Sequence, residues 1–300
     1  MDWRIKAVGS CVLSRMPGQG KLRRLVQQWC GASRHEWPVD RTLSFGRNLV
    51  RVCRECGLGL DGKDVLEIGT GWVPLIPAFM WLCGARSCRT YDIERLLSET
   101  LTISAFRDAV EYLAEENWED VSDERLEALK AAAERGRADV LLELCGIEYH
   151  APADASRTAL PSGSVDVVFS NNVLEHVTPS EVVPLLAEAR RLLRPEGITV
   201  HTVDLSDHYS HSDPSLPRNN FLRYPDWQFR WINNGWIYQN RLRPCHYREI
   251  LDAAGLRLLK WDVRIDERSL RHVREMTVAP RFRGLPEEEL CADALTFAAR

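Results

Sequence analysis

Apolar and polar positions fall into two alternating patterns between residues 64 and 204. Short apolar runs of strand length lie at Asp64–Ile68, Arg89–Tyr91, Val165–Ser170 and Ile198–Val203, and another begins at Gly146–His150 and reaches Asp154. Between them, apolar residues recur at helical spacing, which marks one buried face of a helix. Leu75–Leu82 reads as such a helix, as do the stripes Leu97, Leu101, Val110, Leu113 and Leu126, Leu129, Ala133, Val140. A further helix buries Val182, Leu185, Leu186, Ala189 and Leu193. It opens on Thr178-Pro179-Ser180-Glu181, a capping box with proline at the first helical position. Pro184 predicts a kink or a short preliminary turn, and Pro195-Glu196-Gly197 ends the helix.

Upstream, Leu22, Leu25, Val26 and Trp29 share one helical face, so residues 1–60 read as an N-terminal helical extension, closed by Gly57–Gly62. Downstream, a helix is predicted at Tyr247–Ala254 and strands at Leu256–Val263 and Leu290–Ala298. Strand–helix alternation implies a parallel sheet with helices on both faces and right-handed crossovers. Ligands of such sheets bind beyond the carboxyl ends of the strands, where strand order reverses. Gly69–Gly71, Asp92, Asp154 and Ser170–Asn172 are thereby placed around one crevice.

Composition narrows the class. Hydrophobic residues make up 45% and charged residues 27% of 300, as in ordinary globular proteins. No apolar stretch approaches the ~20 residues of a membrane span. A net charge of −4 argues against a polyanion binder. Residues 1–60 hold eleven Arg/Lys against four Asp/Glu, and residues 94–150 hold six against fifteen. Two mutually attracting solvated faces explain this, with a basic surface for an acidic partner or membrane headgroups as the alternative. The N-terminus shows no secretory signal pattern, and the nine cysteines are odd in number. Both favour a reducing, cytoplasmic setting with free thiols. Cys53-x-x-Cys56 is half a zinc motif, with only Cys83 and Cys88 near to complete it, so no metal is assigned.

The candidate chemistry begins at Val65-Leu66-Glu67-Ile68-Gly69-Thr70-Gly71, a strand, an acid and a glycine turn. Glycines let backbone amides approach a ligand closely. Asp92, at the end of the next strand, can accept both hydroxyls of a ribose, or it can cap the segment starting at Glu94. This much fits dinucleotide and S-adenosylmethionine sites alike. A dinucleotide fingerprint wants glycine where Pro74 stands.

Residues 160–177, Leu-Pro-Ser-Gly-Ser-Val-Asp-Val-Val-Phe-Ser-Asn-Asn-Val-Leu-Glu-His-Val, resemble the fourth-strand region of class I S-adenosylmethionine-dependent methyltransferases of the type 11 kind. Arg191-Leu192-Leu193-Arg194-Pro195-Glu196-Gly197 resembles the turn into their fifth strand. The resemblance spans about residues 60–205, with a weaker echo to 260. It implies an α/β, doubly wound, Rossmann-like seven-stranded, mostly parallel sheet whose last two strands form an antiparallel edge pair. Residues 61–300 would be the methyltransferase domain. It also implies S-adenosyl-L-methionine as cofactor and S-adenosyl-L-homocysteine as product.

By position, Glu67, Gly69, Thr70 and Gly71 would hold the methionine end and Asp92 the ribose, with Ile93 against the adenine. Asp154 and Ala155 match the pair beside the adenine amine, although Asp154 could simply cap a loop. Ser170 and Asn171 would face the methionyl end. The family's third glycine is replaced by Val73 after Trp72, which either walls the active site or packs under the first helix.

Two segments exceed the minimal fold. Residues 94–147 are a helical insertion, read as a cap or a contact between two copies of the chain. Residues 205–246 read as an aromatic and arginine-rich substrate lid holding Phe221, Tyr224, Trp227, Phe229, Trp231, Trp236 and Tyr238 with Arg218, Arg223, Arg230, Arg241 and Arg243; Arg248 follows. Aromatics could stack on a sugar or shelter a sulfonium, and arginines could grip an anionic acceptor. A satellite core with solvated arginines is the plainer alternative.

Oxygen acceptors need a base. His208, oriented by Asp204 or Asp207, is the first candidate, His211 the second and His176 the third, with Glu175–His176 otherwise shaping the pocket. The same Asp/His density could bind a divalent metal. The expected activity is methylation of a small molecule or glycan, favouring O-methylation. Nucleic acid is disfavoured, but an RNA or protein methyltransferase and a non-catalytic cofactor-binding scaffold are the rivals.

Overall fold

The computed structural model describes residues 3–14, 37–115, 118–234 and 238–300. The stripe at Leu22, Leu25, Val26 and Trp29 lies outside the described residues, as does Trp236. Helix α1 covers Trp3–Leu13 and α2 Val39–Glu55. The alternating region follows as β1 (Asp64–Ile68), α3 (Leu75–Leu82), β2 (Ser87–Tyr91), α4 (Glu99–Glu115), α5 (Asp123–Glu134), α6 (Ala138–Leu144), β3 (Ile147–His150), β4 (Val165–Asn171), α7 (Pro179–Leu192) and β5 (Leu193–Asp204). The remainder holds α8 (Asp226–Ile232), α9 (Pro244–Ala253), β6 (Leu258–Ile265), α10 (Glu267–Glu275), α11 (Glu287–Cys291) and β7 (Ala292–Ala299).

The seven strands lie in the order β3-β2-β1-β4-β5-β7-β6. All pairings from β3 to β5 are parallel, and β7 runs antiparallel to both β5 and β6. The order reverses between β1 and β4, which opens the crevice there. β1 is buried along its whole length, as a strand covered on both faces must be.

One face packs under α2–α6 through residues such as Leu49, Phe79, Phe106, Leu129 and Leu141. The insertion helices α4–α6 therefore belong to the layer covering the sheet. Trp72 packs against the same cluster. The other face packs under α7 and α9 through Val182, Leu186, Tyr247 and Leu251.

Pro184 lies on the exposed side of α7, which runs through it as one helix. The reciprocal capping box is not formed: the Thr178 hydroxyl donates to the Glu181 carboxylate at 2.6 Å and accepts no backbone N–H. β5 starts directly at Leu193, earlier than its apolar run suggests.

At the opposite end of the sheet from the crevice, Asp64 accepts from Arg86 Nε at 3.0 Å and Arg194 at 2.9 Å, while its backbone N–H donates to Asp166 at 2.9 Å. These bonds tie β1, β4 and β5 together. Cys53, Cys83 and Cys88 are buried in the core, and burial pushes the Cys53 and Cys83 thiols up to about 12. They serve as small apolar residues.

Candidate active site

The strand ends converge by backbone bonding. The Gly69 amide donates to Tyr91 O at 2.8 Å, and the Asp92 amide to His150 O at 3.0 Å. Gly69 has φ +80°, and a Cβ there would stand 2.4 Å from Val173 Cγ2. No other residue fits that turn without moving β4's exit loop. The cleft above is a cavity of about 780 Å³, within the range of small-molecule sites.

Eight of the candidate residues line it: Gly69, Gly71, Asp92, Ile93, Asp154, Ala155, His176 and His208. Asp92 is nearly buried. One carboxylate oxygen accepts from Gly71 N at 2.8 Å and the other from Glu94 N at 2.9 Å. Burial pushes its carboxyl up from the usual value, against these two bonds. The group is thus both a loop cap and a polar group on the cavity wall. Ile93 is 78% exposed beside it, an apolar surface for a flat ring. Asp154 caps a turn, accepting from Ser156 N at 2.8 Å and Oγ at 2.7 Å, which holds its carboxyl below the usual range.

Other candidates stand behind the wall. Glu67 is buried, with its Oε2 lacking a hydrogen-bond partner, and desolvation pushes its carboxyl well up. Thr70, three residues on, is also buried. Ser170 is fully buried, its hydroxyl 2.7 Å from His201 Nδ1. Asn171 Oδ1 accepts from Thr202 Oγ1 at 2.5 Å. The residue that reaches the cavity from this strand end is Asn172, in the left-handed region at φ 53°. Strand periodicity could not have located it, since the turn, not the pleat, aims it.

The histidines gather at the other end of the cavity. His176 and His208 have ring centroids 5.0 Å apart, and His208 and His211 5.2 Å. His176 Nδ1 lies 2.8 Å from the Tyr238 carbonyl. A carbonyl only accepts, so Nδ1 carries the proton and Nε2 keeps a lone pair. Asp204 Oδ2 stands between His208 Nε2 at 3.8 Å and His211 Nε2 at 3.3 Å. His211 does not line the cavity; it also meets Ser206 Oγ at 2.9 Å. Asp207 has partners of its own. It is buried and binds Tyr209 N and Asn220 Nδ2, and burial pushes its carboxyl up to about 6.

Glu175 precedes His176 in a 3-10 turn and is 1% exposed. Asn240 fixes this turn by donating to Leu174 O at 2.7 Å, Val177 O at 2.9 Å and, from its backbone, Glu175 O at 2.7 Å.

The 205–246 segment is largely structural. Tyr238 and His208 reach the cavity. Phe221 and Phe229 join a satellite core with Phe282, and Tyr224 packs on Trp3 of α1. Trp227 and Trp231 are exposed. Arg243 is fully buried, donating to the carbonyls of Leu205, Glu289 and Ala292, and burial lowers its pKa to about 10. Arg241 binds the carbonyls of Phe221 and Tyr224, and Arg218 pairs with Asp293. Arg248 lies on Trp261. None of the six arginines singled out in the sequence lines the main cavity.

The residues present fit S-adenosylmethionine. A glycine turn, a carboxylate for ribose hydroxyls, an apolar platform and a partnerless buried carboxylate oxygen behind the turn form one set. When bound, the cofactor supplies an electrophilic methyl group. Gly69–Gly71 and Asp92 would hold it, and Ile93 and Ala155 would exclude water from its ring.

Residues 108–201 match the family model described as a methyltransferase domain. No curated protein matches the sequence. The fold resembles that of the [4+2]-cyclase SpnF at TM-score 0.51 and 14% identity, covering 94% of each chain. It is also similar to a candidate sarcosine dimethylglycine methyltransferase from Galdieria sulphuraria (TM-score 0.49, 15% identity, 93% of this chain and 97% of that one). A geranyl diphosphate methyltransferase in complex with S-adenosylmethionine follows (TM-score 0.45, 12% identity, 96% and 93%). Among the described residues no helix is long and apolar enough to cross a membrane. Strand order, cavity and the matched segment together make this a Rossmann-like fold that carries a methyltransferase-domain match, with a cleft whose residues fit S-adenosylmethionine.

Proposed function

We propose that the chain transfers the methyl group to a hydroxyl of a small molecule or glycan. The supporting observation is that His176 and His208 line the same cavity as Gly69–Gly71 and Asp92. An alcohol must lose its proton as its oxygen attacks. The two imidazoles are the groups positioned to draw that proton away, with Asp204 behind His208. Much of the rate would come from holding acceptor oxygen and methyl carbon in line. Thr178, Glu181 and Tyr238 add polar contacts at this end, suited to a hydroxylated acceptor.

The test is incubation with S-adenosylmethionine and a panel of hydroxylated small molecules and glycans. Mass spectrometry would read S-adenosylhomocysteine and a product gaining one methyl group. Methylation of RNA, of protein or of nitrogen acceptors alone would refute the acceptor class. The likeness to a cyclase gives a second reading specific content: tight cofactor binding with no acceptor-dependent turnover would identify a methyltransferase fold that does other work.

A further inference from the structure

The ligating atoms of Glu175, His176 and His208 lie within 4.8 Å of one another. Two of these side chains line the cavity, and the third is buried beneath them. We propose that these three residues form a binding site for one first-row divalent cation at the acceptor end of the cavity. The proposal rests on the methyltransferase reading for its purpose but not for its geometry.

Three observations carry it. First, both carboxylate oxygens of Glu175 lack hydrogen-bond partners although the residue is 1% exposed. A buried carboxylate left this way is costly unless a cation or a proton joins it. Second, His176 donates Nδ1–H to the Tyr238 carbonyl at 2.8 Å. This outer bond is what a ligating imidazole characteristically makes; it fixes the tautomer and leaves Nε2 for the metal. Third, the carboxylate of Asp204 stands behind His208, 3.8 Å from Nε2. Two imidazoles and one carboxylate suit zinc and its neighbours rather than magnesium or calcium, which favour oxygen alone.

Metal–ligand bonds of roughly 2.0–2.2 Å put tetrahedral ligand atoms about 3.4 Å apart. Loading would therefore turn the rings inward by about 1 Å. Three protein ligands leave positions open toward the cavity, where an acceptor oxygen can bind. A cation there makes that hydroxyl more acidic. With both imidazoles held as ligands, the cation takes the place of the imidazole bases in activating the hydroxyl: its proton passes to solvent, the O–CH3 bond forms, the CH3–S bond breaks, and S-adenosylhomocysteine leaves. No redox change is involved.

The test uses the full chain, stripped with chelator and titrated with Co2+ and Zn2+. Co2+ should bind at one equivalent and give d–d bands of low coordination number without a thiolate charge-transfer band. That last feature separates the site from the Cys245–His246 pair, whose Sγ and Nδ1 are 3.7 Å apart. His176→Ala and His208→Ala should weaken Zn2+ by more than about 100-fold, beyond the 10–100-fold cost of losing an outer partner. His176 is exposed, so its variant does not endanger folding. Substoichiometric or thiolate-type Co2+ binding, or unchanged Zn2+ affinity in His176→Ala, would overturn the site. S-adenosylhomocysteine titration of the same samples reads the cofactor site separately. Cofactor binding without metal uptake would refute the cation site alone, and metal uptake without cofactor binding would refute the methyltransferase reading alone.

Discussion

Gly69→Ala, studied with and without Val173→Ala, isolates the contact that shapes the cofactor turn. Alanine at φ +80° carries a left-handed penalty of roughly 1–2 kcal/mol. Its Cβ would also lie 2.4 Å from Val173 Cγ2, well inside ordinary contact, and overpacking of that kind costs roughly 1–3 kcal/mol. The single variant should therefore lose about 2–5 kcal/mol. Val173 is half-buried, so Val173→Ala alone should cost about 1 kcal/mol. In the double variant the overlap disappears and only the backbone penalty and the lost methyls remain. Urea unfolding of all four proteins should give a coupling of about 1–3 kcal/mol in the favourable sense. Additivity within ~0.5 kcal/mol would refute the claim that Val173 forbids a side chain here. Calorimetric titration with S-adenosylmethionine should follow the same order, because Val173 itself lines the cavity.

Asp92→Ala should weaken S-adenosylmethionine by roughly 10–150-fold in the same titration, since charged hydrogen bonds contribute about 1.5–3 kcal/mol. Unchanged affinity would remove Asp92 from the site. His201 is buried between Ser170 and Thr199, and burial lowers its pKa to about 3. An unfolded histidine takes up a proton near pH 6.5 that the folded one refuses. This contribution is present above pH 6.5 and is lost as pH falls toward 3. Unfolding free energy should fall by about 2 kcal/mol between pH 7 and pH 5 from this residue. His201→Phe should lack that part of the slope, and an equal slope in the variant would contradict the assignment. Burial alone would raise the Asp64 carboxyl, but bonds from Arg86, Arg194 and Ser87 outweigh it and hold the group at about 2. Asp64→Asn should cost roughly 2–4 kcal/mol in thermal or urea unfolding. It should leave cofactor affinity unchanged, being at the far end of β1.

That Gly69, Gly71 and Asp92 border one cleft was legible because the signals are local. A glycine turn follows a short, fully buried strand, and an acid directly follows the next one. Strand order placed Asn172 at the crevice with Ser170 and Asn171, but the cofactor role went to those two, because the left-handed residue that ends the strand's alternation cannot be read from its pattern. The arginine-rich segment misled for a different reason. Arg243 serves the carbonyls of Leu205, Glu289 and Ala292, which are distant in sequence and meet only in the folded chain. Helix and strand ends leave such carbonyls without regular partners, so long cations turn inward to satisfy them. Composition cannot distinguish that use from ligand binding. Glu175 was visible as an acid beside a histidine, but its burial without a partner was not.

The placement of β7 between β5 and β6 bears on the order in which the sheet can be completed. As the chain is synthesised, β5 and then β6 emerge with the edges meant for β7 still bare. The first five strands can pair at once, but β6 has no neighbour until residues 292–299 arrive to bridge it. Exposed strand edges invite pairing with other chains. The interval between β6 and β7 is therefore when a nascent chain is most open to misassembly.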